Sequence, residues 1–142
     1  MPRVDFYVLS ASEPSRTHFA CRLTEKAVAH GNTVFLRVAS AELARELDTL
    51  LWTFNDRSFL PHEIVGQAGG SATGAPVLIG TGNAPSSHRQ LLVNLTSEMP
   101  EDAGEFERIA ELVDDDPEGK RLARSRFRQY RDRGWSPESH PV

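Results

Sequence analysis

The sequence predicts a single α/β domain built on a mainly parallel (mixed) sheet flanked by helices. Short apolar runs of strand length alternate with segments whose apolar residues recur every three or four positions, the mark of helices with one buried face. The run at residues 33–39 is almost continuously apolar, as befits a strand covered on both faces. A length of 142 residues, with 39% hydrophobic and 25% charged, suits one sizeable core. Residues 1–136 are therefore expected to form the domain, and residues 137–142 a short C-terminal tail.

The elements follow in order. Residues 4–9 (Val-Asp-Phe-Tyr-Val-Leu) are rich in β-branched and aromatic types and form the first strand; residues 10–15 then supply a turn that can cap a helix. Phe19, Leu23 and Ala27 repeat every four positions in a helix over residues 16–30, stopped by His30-Gly31-Asn32. The strand at 33–39 follows, and the unit reads as a right-handed βαβ crossover with both strands parallel. Ser40 caps a second helix whose stripe of Leu43, Leu47, Leu50 and Leu51 runs directly into Trp52. Residues 66–74 carry four glycines and no large side chain, and are expected as a flexible connection. Residues 76–79 and 91–95 are two further strands. Residues 106–113 fit helical spacing but have strand length and placement, and are assigned as a strand. Pro117 opens the last helix behind Asp114, Asp115 and Asp116, and Gly134 closes it.

The stretch Trp52 to His62 departs from ordinary patterning. It sets Trp52, Phe54, Phe59 and Leu60 in a polar segment that ends in Pro61, which opposes helix continuation. Such rings either pack down as a lid over the core or stand out as an anchor for a partner.

Several function classes are disfavoured. The N-terminus lacks a signal-peptide pattern and no apolar run is long enough to span a membrane, so a cytoplasmic protein is expected. Cys21 is the single cysteine and reads as a small core residue. The histidines at 18, 30, 62, 88 and 140 form no ligand pair at helical spacing, so neither a metal nor another cofactor is expected. Ser86, Ser87 and His88 read as a loop, because no Gly-x-Ser-x-Gly elbow is present. The glycines at 66–74 precede an apolar run instead of following one, and no Lys-Ser or Lys-Thr comes after them, so the layout lacks a phosphate loop. Asp114 to Asp116 read as a solvated helix N-terminal turn.

Charge is distributed unevenly. The net charge is −4, yet residues 98–118 hold ten acids against Arg108, and residues 120–133 hold seven bases against Asp132. On the last helix Arg121, Arg124, Arg128 and Arg131 form one stripe, and Ala123, Phe127 and Tyr130 the adjoining face. Guanidinium groups beside an aromatic wall can hold a carboxylate and an apolar side chain of one ligand. The same pattern also describes a solvated basic face over buried rings, or a phosphate-backbone site.

The residues Phe6-Tyr7-Val8-Leu9, Leu51-Trp52, Ser58-Phe59-Leu60-Pro61-His62, Gly74-Ala75-Pro76-Val77 and the run from Leu122 to Arg131 together resemble the chi-subunit family of bacterial DNA polymerase III holoenzyme. The resemblance covers nearly the whole chain, and the Trp-to-Pro-His segment and the last helix are its most specific parts. It implies a small α/β protein with a nucleotide-binding-like sheet and no catalytic role. Such a protein joins the clamp-loader assembly through the psi subunit, holds the acidic, Pro-Phe-ending C-terminal tail of single-stranded-DNA-binding protein, and associates with DNA indirectly. Carried over by position, Trp52, Phe59, Leu60, Pro61 and His62 fall at the psi surface, which the resemblance also offers to an accessory helicase. Val113, Arg124, Phe127, Arg128 and Arg131 fall at the tail site. The alternative is a nucleotide-binding α/β enzyme or sensor, using the carboxyl edge of the sheet as folds of this layout often do.

Overall fold

A computed structural model describes residues 2–10, 15–55, 57, 59–66 and 74–142. Seven strands and three helices follow one another as β1 (Arg3–Val8), α1 (Arg16–Ala29), β2 (Val34–Arg37), α2 (Ala41–Thr53), β3 (His62–Ile64), β4 (Val77–Gly80), β5 (Leu91–Asn94), β6 (Arg108–Val113), α3 (Pro117–Asp132) and β7 (Glu138–Pro141), with a short 3₁₀ turn at Ala103–Glu105 before β6. They form one sheet in the order β3-β4-β2-β5-β6-β1-β7, and every pairing is parallel.

Strand alternation divides the core in two. Val34, Leu36, Val77, Ile79, Leu91, Val93, Ala110 and Leu112 face α1 and α2, where Ala20, Cys21, Ala27, Leu47 and Leu51 meet them. Val4, Phe6, Phe35, Leu78, Leu92 and Ile109 face the other way, under α3 and the loops that carry Ala84, Ala103 and Phe106. β2, β4 and β5 are buried along their full length, which is why they appear in the sequence as unbroken apolar runs. Burial also pushes the Cys21 thiol up to about 12, so it stays protonated as a small core residue.

Helix ends use the expected chemistry. Ser15, Ser40 and Asp116 accept from the backbone N–H three residues on, at 3.0, 3.2 and 2.8 Å. At Gly119 a Cβ would stand 2.9 Å from Asp116 Oδ2, so a side chain there would press on the capping carboxylate. Asp115 pairs with Lys120 and Asp114 with Arg16, which makes the three acids a helix-capping turn.

The structure departs from the sequence expectations in several places. β1 and β2 are parallel but not neighbours, since β5 and β6 lie between them. β3 and β7, the two edge strands, have no counterpart among the expected strands, and β7 lies within residues 137–142, where a tail was expected. The expected mainly parallel sheet is found, and every pairing among the described strands is parallel. The capping turn at residues 10–15 and the glycine connection at 66–74 fall mostly outside the described residues.

Candidate docking sites

α3 carries two kinds of arginine. Arg126 points inward: Nε donates to Glu111 Oε1 at 3.0 Å and Nη1 to the Ser97 carbonyl at 3.0 Å. The Tyr130 hydroxyl donates to Glu111 Oε2 at 2.8 Å, and Asn94 Nδ2 lies 3.1 Å from both carboxylate oxygens. Burial pushes the Glu111 carboxyl up, against the pull of Arg126, Asn94 and Tyr130; burial and then the Glu111 charge push the Tyr130 phenol up. This buried network fixes the helix to β6 and determines which way α3 faces. Tyr130 is wholly buried, so it cannot line a surface site, and Phe127 alone of that aromatic pair reaches one.

On the outward side Arg124, Arg128 and Arg131 are exposed. Their neighbours are paired, Arg121 with Glu118 and Lys120 with Asp115, but among the described residues these three make no ion pair. Arg124, Phe127, Arg128 and Ala123 line a mostly apolar hollow of about 380 Å³, completed by Phe6 of β1 and Ser139 of β7. The Phe6 and Phe127 ring centroids are 5.3 Å apart, giving the hollow an aromatic floor. Of the residues proposed from sequence, Arg124, Phe127 and Arg128 are thus brought together. Arg131 lies in an adjoining hollow shared with Arg128. Val113 is buried at the end of β6 and lines a different crevice, with Leu122 and Gly119. Phe6 and Ser139 were missed. Phe6 reads from sequence as ordinary core, and Ser139 carries no signal until β7 is known to pair beside β1.

A second surface lies at the opposite edge of the sheet. Trp52 is 49% exposed, Phe59 77% and Ile64 40%, the three large apolar side chains left open among the described residues. Trp52 packs its ring 4.3 Å from that of His62 and 5.8 Å from that of Phe59. The His62 side chain is buried below it, with ring nitrogens 2.6 Å from the Leu60 carbonyl oxygen and 3.1 Å from that of Asp48. Leu60 turns into the core and Pro61 is half-buried. The buried residues therefore anchor the segment, and the two rings stand outward from it.

The carboxyl edge of the sheet offers little to a nucleotide. β1 and β6 are neighbours with α1 and α3 on opposite faces, the place where such folds bind ligands. The crevice there holds only about 180 Å³, and the two arginines in its lining beside Asp114 and Asp116 are already engaged, Arg16 with Asp114 and Arg126 with Glu111. A neighbouring crevice beyond β2 and β5 is floored by Arg37, whose guanidinium forms a bidentate pair with Asp102 at 2.7 and 2.8 Å and donates to the Gly82 carbonyl. Burial pushes the Asp102 carboxyl up, but the bonds from Arg37 and the Ala84 N–H outweigh it and hold the group below the usual carboxylate range. Asp5, Glu138 and His140 also lie close enough to share a cation, a cluster formed only because β7 pairs with β1. Arg3 and Arg108 already neutralise Asp5. His88 is a loop staple, held between the Ser87 hydroxyl and the Ala75 carbonyl at 2.7 Å each.

A small α/β domain thus carries arginines without ion pairs among the described residues around an apolar hollow at one end of its sheet, and exposed aromatic rings at the other. Comparison with known proteins makes this specific. Residues 1–138 match the family described as DNA polymerase III chi subunit, HolC. The DNA polymerase III subunit chi of Pseudomonas aeruginosa is 43% identical over 141 residues, covering 99% of this chain and 96% of that protein. The Haemophilus influenzae subunit chi is 32% identical, covering 96% and 95%, and that of Escherichia coli 30%, covering 82% and 78%. This chain belongs to the DNA polymerase III chi subunit family. No helix among the described residues is long and apolar enough to cross a membrane.

Proposed function

We propose that this protein is a non-catalytic, cytoplasmic adaptor of the replicative polymerase, joining the psi subunit of the clamp loader to the C-terminal tail of single-stranded-DNA-binding protein. The observation that carries the reading is the α3 hollow, which Arg124 and Arg128, without an ion pair among the described residues, line together with the Phe6 and Phe127 rings. A ligand with an apolar terminal side chain and a free carboxylate satisfies both features: the side chain fills the hollow, and the carboxylate accepts from guanidinium forks. Acids further up the tail meet Arg131 and the rest of the basic stripe, and Val113 supports the hollow from the core.

The psi subunit is assigned to the Trp52 and Phe59 rings, with Leu60, Pro61 and His62 holding them in place. Exposed aromatic side chains on a buried base are the usual make-up of a binding hot spot. An accessory helicase is the other candidate for this surface. DNA is reached indirectly, through the tail.

Tethering explains why a modest site suffices. A micromolar contact is worth about −8 kcal/mol, and a second attachment within the same assembly raises effective concentration enough to make it persistent. The test is a crossed pair of variants. Arg124→Ala should lower tail-peptide affinity about tenfold or more and leave psi binding unchanged, whereas Phe59→Ala should do the reverse. Equal losses in both assays would contradict two separate sites.

A further inference from the structure

The α3 hollow opens against β7, the last strand of the sheet, and the backbone of β7 has an orientation that can be read from its pairing. Val142 donates its N–H to the Val8 carbonyl, and the register sets Ser139 opposite Phe6 and His140 opposite Tyr7. Alternation along a parallel ladder then directs the N–H groups of Glu138, His140 and Val142 toward β1. The Ser139 N–H and carbonyl and the Pro141 carbonyl point away from it. Proline has no N–H, so within β7 Ser139 alone presents an outward donor and acceptor together. No described residue bonds to these groups, and Ser139 is also the β7 residue that lines the hollow.

We propose that a peptide held in the α3 hollow extends the sheet by one residue, its C-terminal residue pairing antiparallel with Ser139. This rests on the tail-binding reading above and adds the backbone contact. A ligand residue directly opposite Ser139 places its side chain on the same face as the Ser139 side chain, which is the face of the hollow. In the antiparallel arrangement that one residue donates its N–H to the Ser139 carbonyl, and its carboxylate accepts the Ser139 N–H. The parallel arrangement would require a further residue beyond the terminus to make the donation, so a terminal residue selects the antiparallel one. Arg124 and Arg128 then serve the remaining carboxylate lone pairs. Pro141 blocks continued pairing along the edge, which limits the addition to the terminus of a chain and disfavours generic strand association.

The experiment uses the full chain and an acidic peptide ending in an aromatic residue with a free carboxylate, measured by fluorescence anisotropy. Ser139→Pro removes the outward N–H, a group that takes no part in the β1 ladder, and should weaken binding roughly tenfold; Ser139→Ala trims the same hollow-lining side chain but keeps the backbone donor, and should lose severalfold less than Ser139→Pro. Should Ser139→Pro fail to fold, the ligand side decides. A peptide whose last amide N–H is replaced by an ester oxygen should lose about fivefold or more on the native protein, and one with the ester three residues upstream should not. Tight binding of the parent peptide with no loss from Ser139→Pro or the terminal ester overturns the strand addition alone. Absence of binding by the parent peptide overturns the tail reading and this inference with it.

Discussion

Arg124 and Arg126 are two residues apart on α3, and the same side chain does opposite work at each. Arg126 is a buried ion-pair partner, so Glu111→Ala should strand its guanidinium and cost about 3–5 kcal/mol in urea unfolding, whereas Arg124→Ala, at an exposed and unpaired position, should change stability by less than about 0.5 kcal/mol. Acid titration separates a second buried pair. The Asp102 carboxyl sits below its ordinary 3.8 in the fold, so its contribution is present above that pH and is lost as pH falls through the depressed folded value. Asp5 is likewise lowered; burial pushes it up, but His140, Arg3 and Arg108 prevail. Glu111, pushed up by burial, acts with the opposite sign and weakens the fold as pH rises through its own value. Asp102→Asn should therefore be less stable than the native chain at neutral pH, with the gap narrowing below about pH 4 in pH-dependent urea unfolding. A gap that stays constant down to pH 2 would show that the Arg37 pair contributes no proton linkage.

At the scale of elements, α3 and the segment after α2 act as platforms whose buried halves hold their exposed halves in place. Truncating Trp52 to Ala should weaken psi binding while leaving the thermal midpoint nearly unchanged, because the indole is half open; Leu60→Ala should lower the midpoint through lost core packing. What the sequence could disclose follows from the same division. Strands buried on both faces reveal themselves as apolar runs, and helices by their stripe, so β1, β2, β4, β5 and all three helices are legible from residue types alone. β3 (His-Glu-Ile) and β7 (Glu-Ser-His-Pro) are edge strands facing solvent, where no apolar pattern is required and a proline is tolerated. The stripe of Arg121, Arg124, Arg128 and Arg131 was legible from helical spacing, which leaves Arg126 off it, but the inward pairing of Arg126 was not. It depends on Glu111, a charged residue in the middle of a buried strand that spacing gives no reason to place against α3. Ser139 was illegible for a related reason, since its role exists only once β7 is known to close the sheet.

For the molecule as a whole, the strand order places the two surfaces at opposite ends of the sheet. β3 and β7 are six strand spacings apart, roughly 29 Å, and a packed parallel sheet lies between them. Nothing in that geometry makes the two ligands compete, so saturating psi should leave tail affinity within about twofold, and the losses from Phe59→Ala and Arg124→Ala should add in a double variant. The central claim is that α3 reads the end of a peptide chain. Its most direct test is a fluorescence-anisotropy titration with the C-terminal tail peptide of single-stranded-DNA-binding protein, run beside the same peptide carrying an amidated terminus and lacking its last residue. Saturable binding of the first with loss of the second is the result predicted here. Equal binding of both, or of neither, would contradict it and leave the Trp52 and Phe59 surface as the supported interface of this chain.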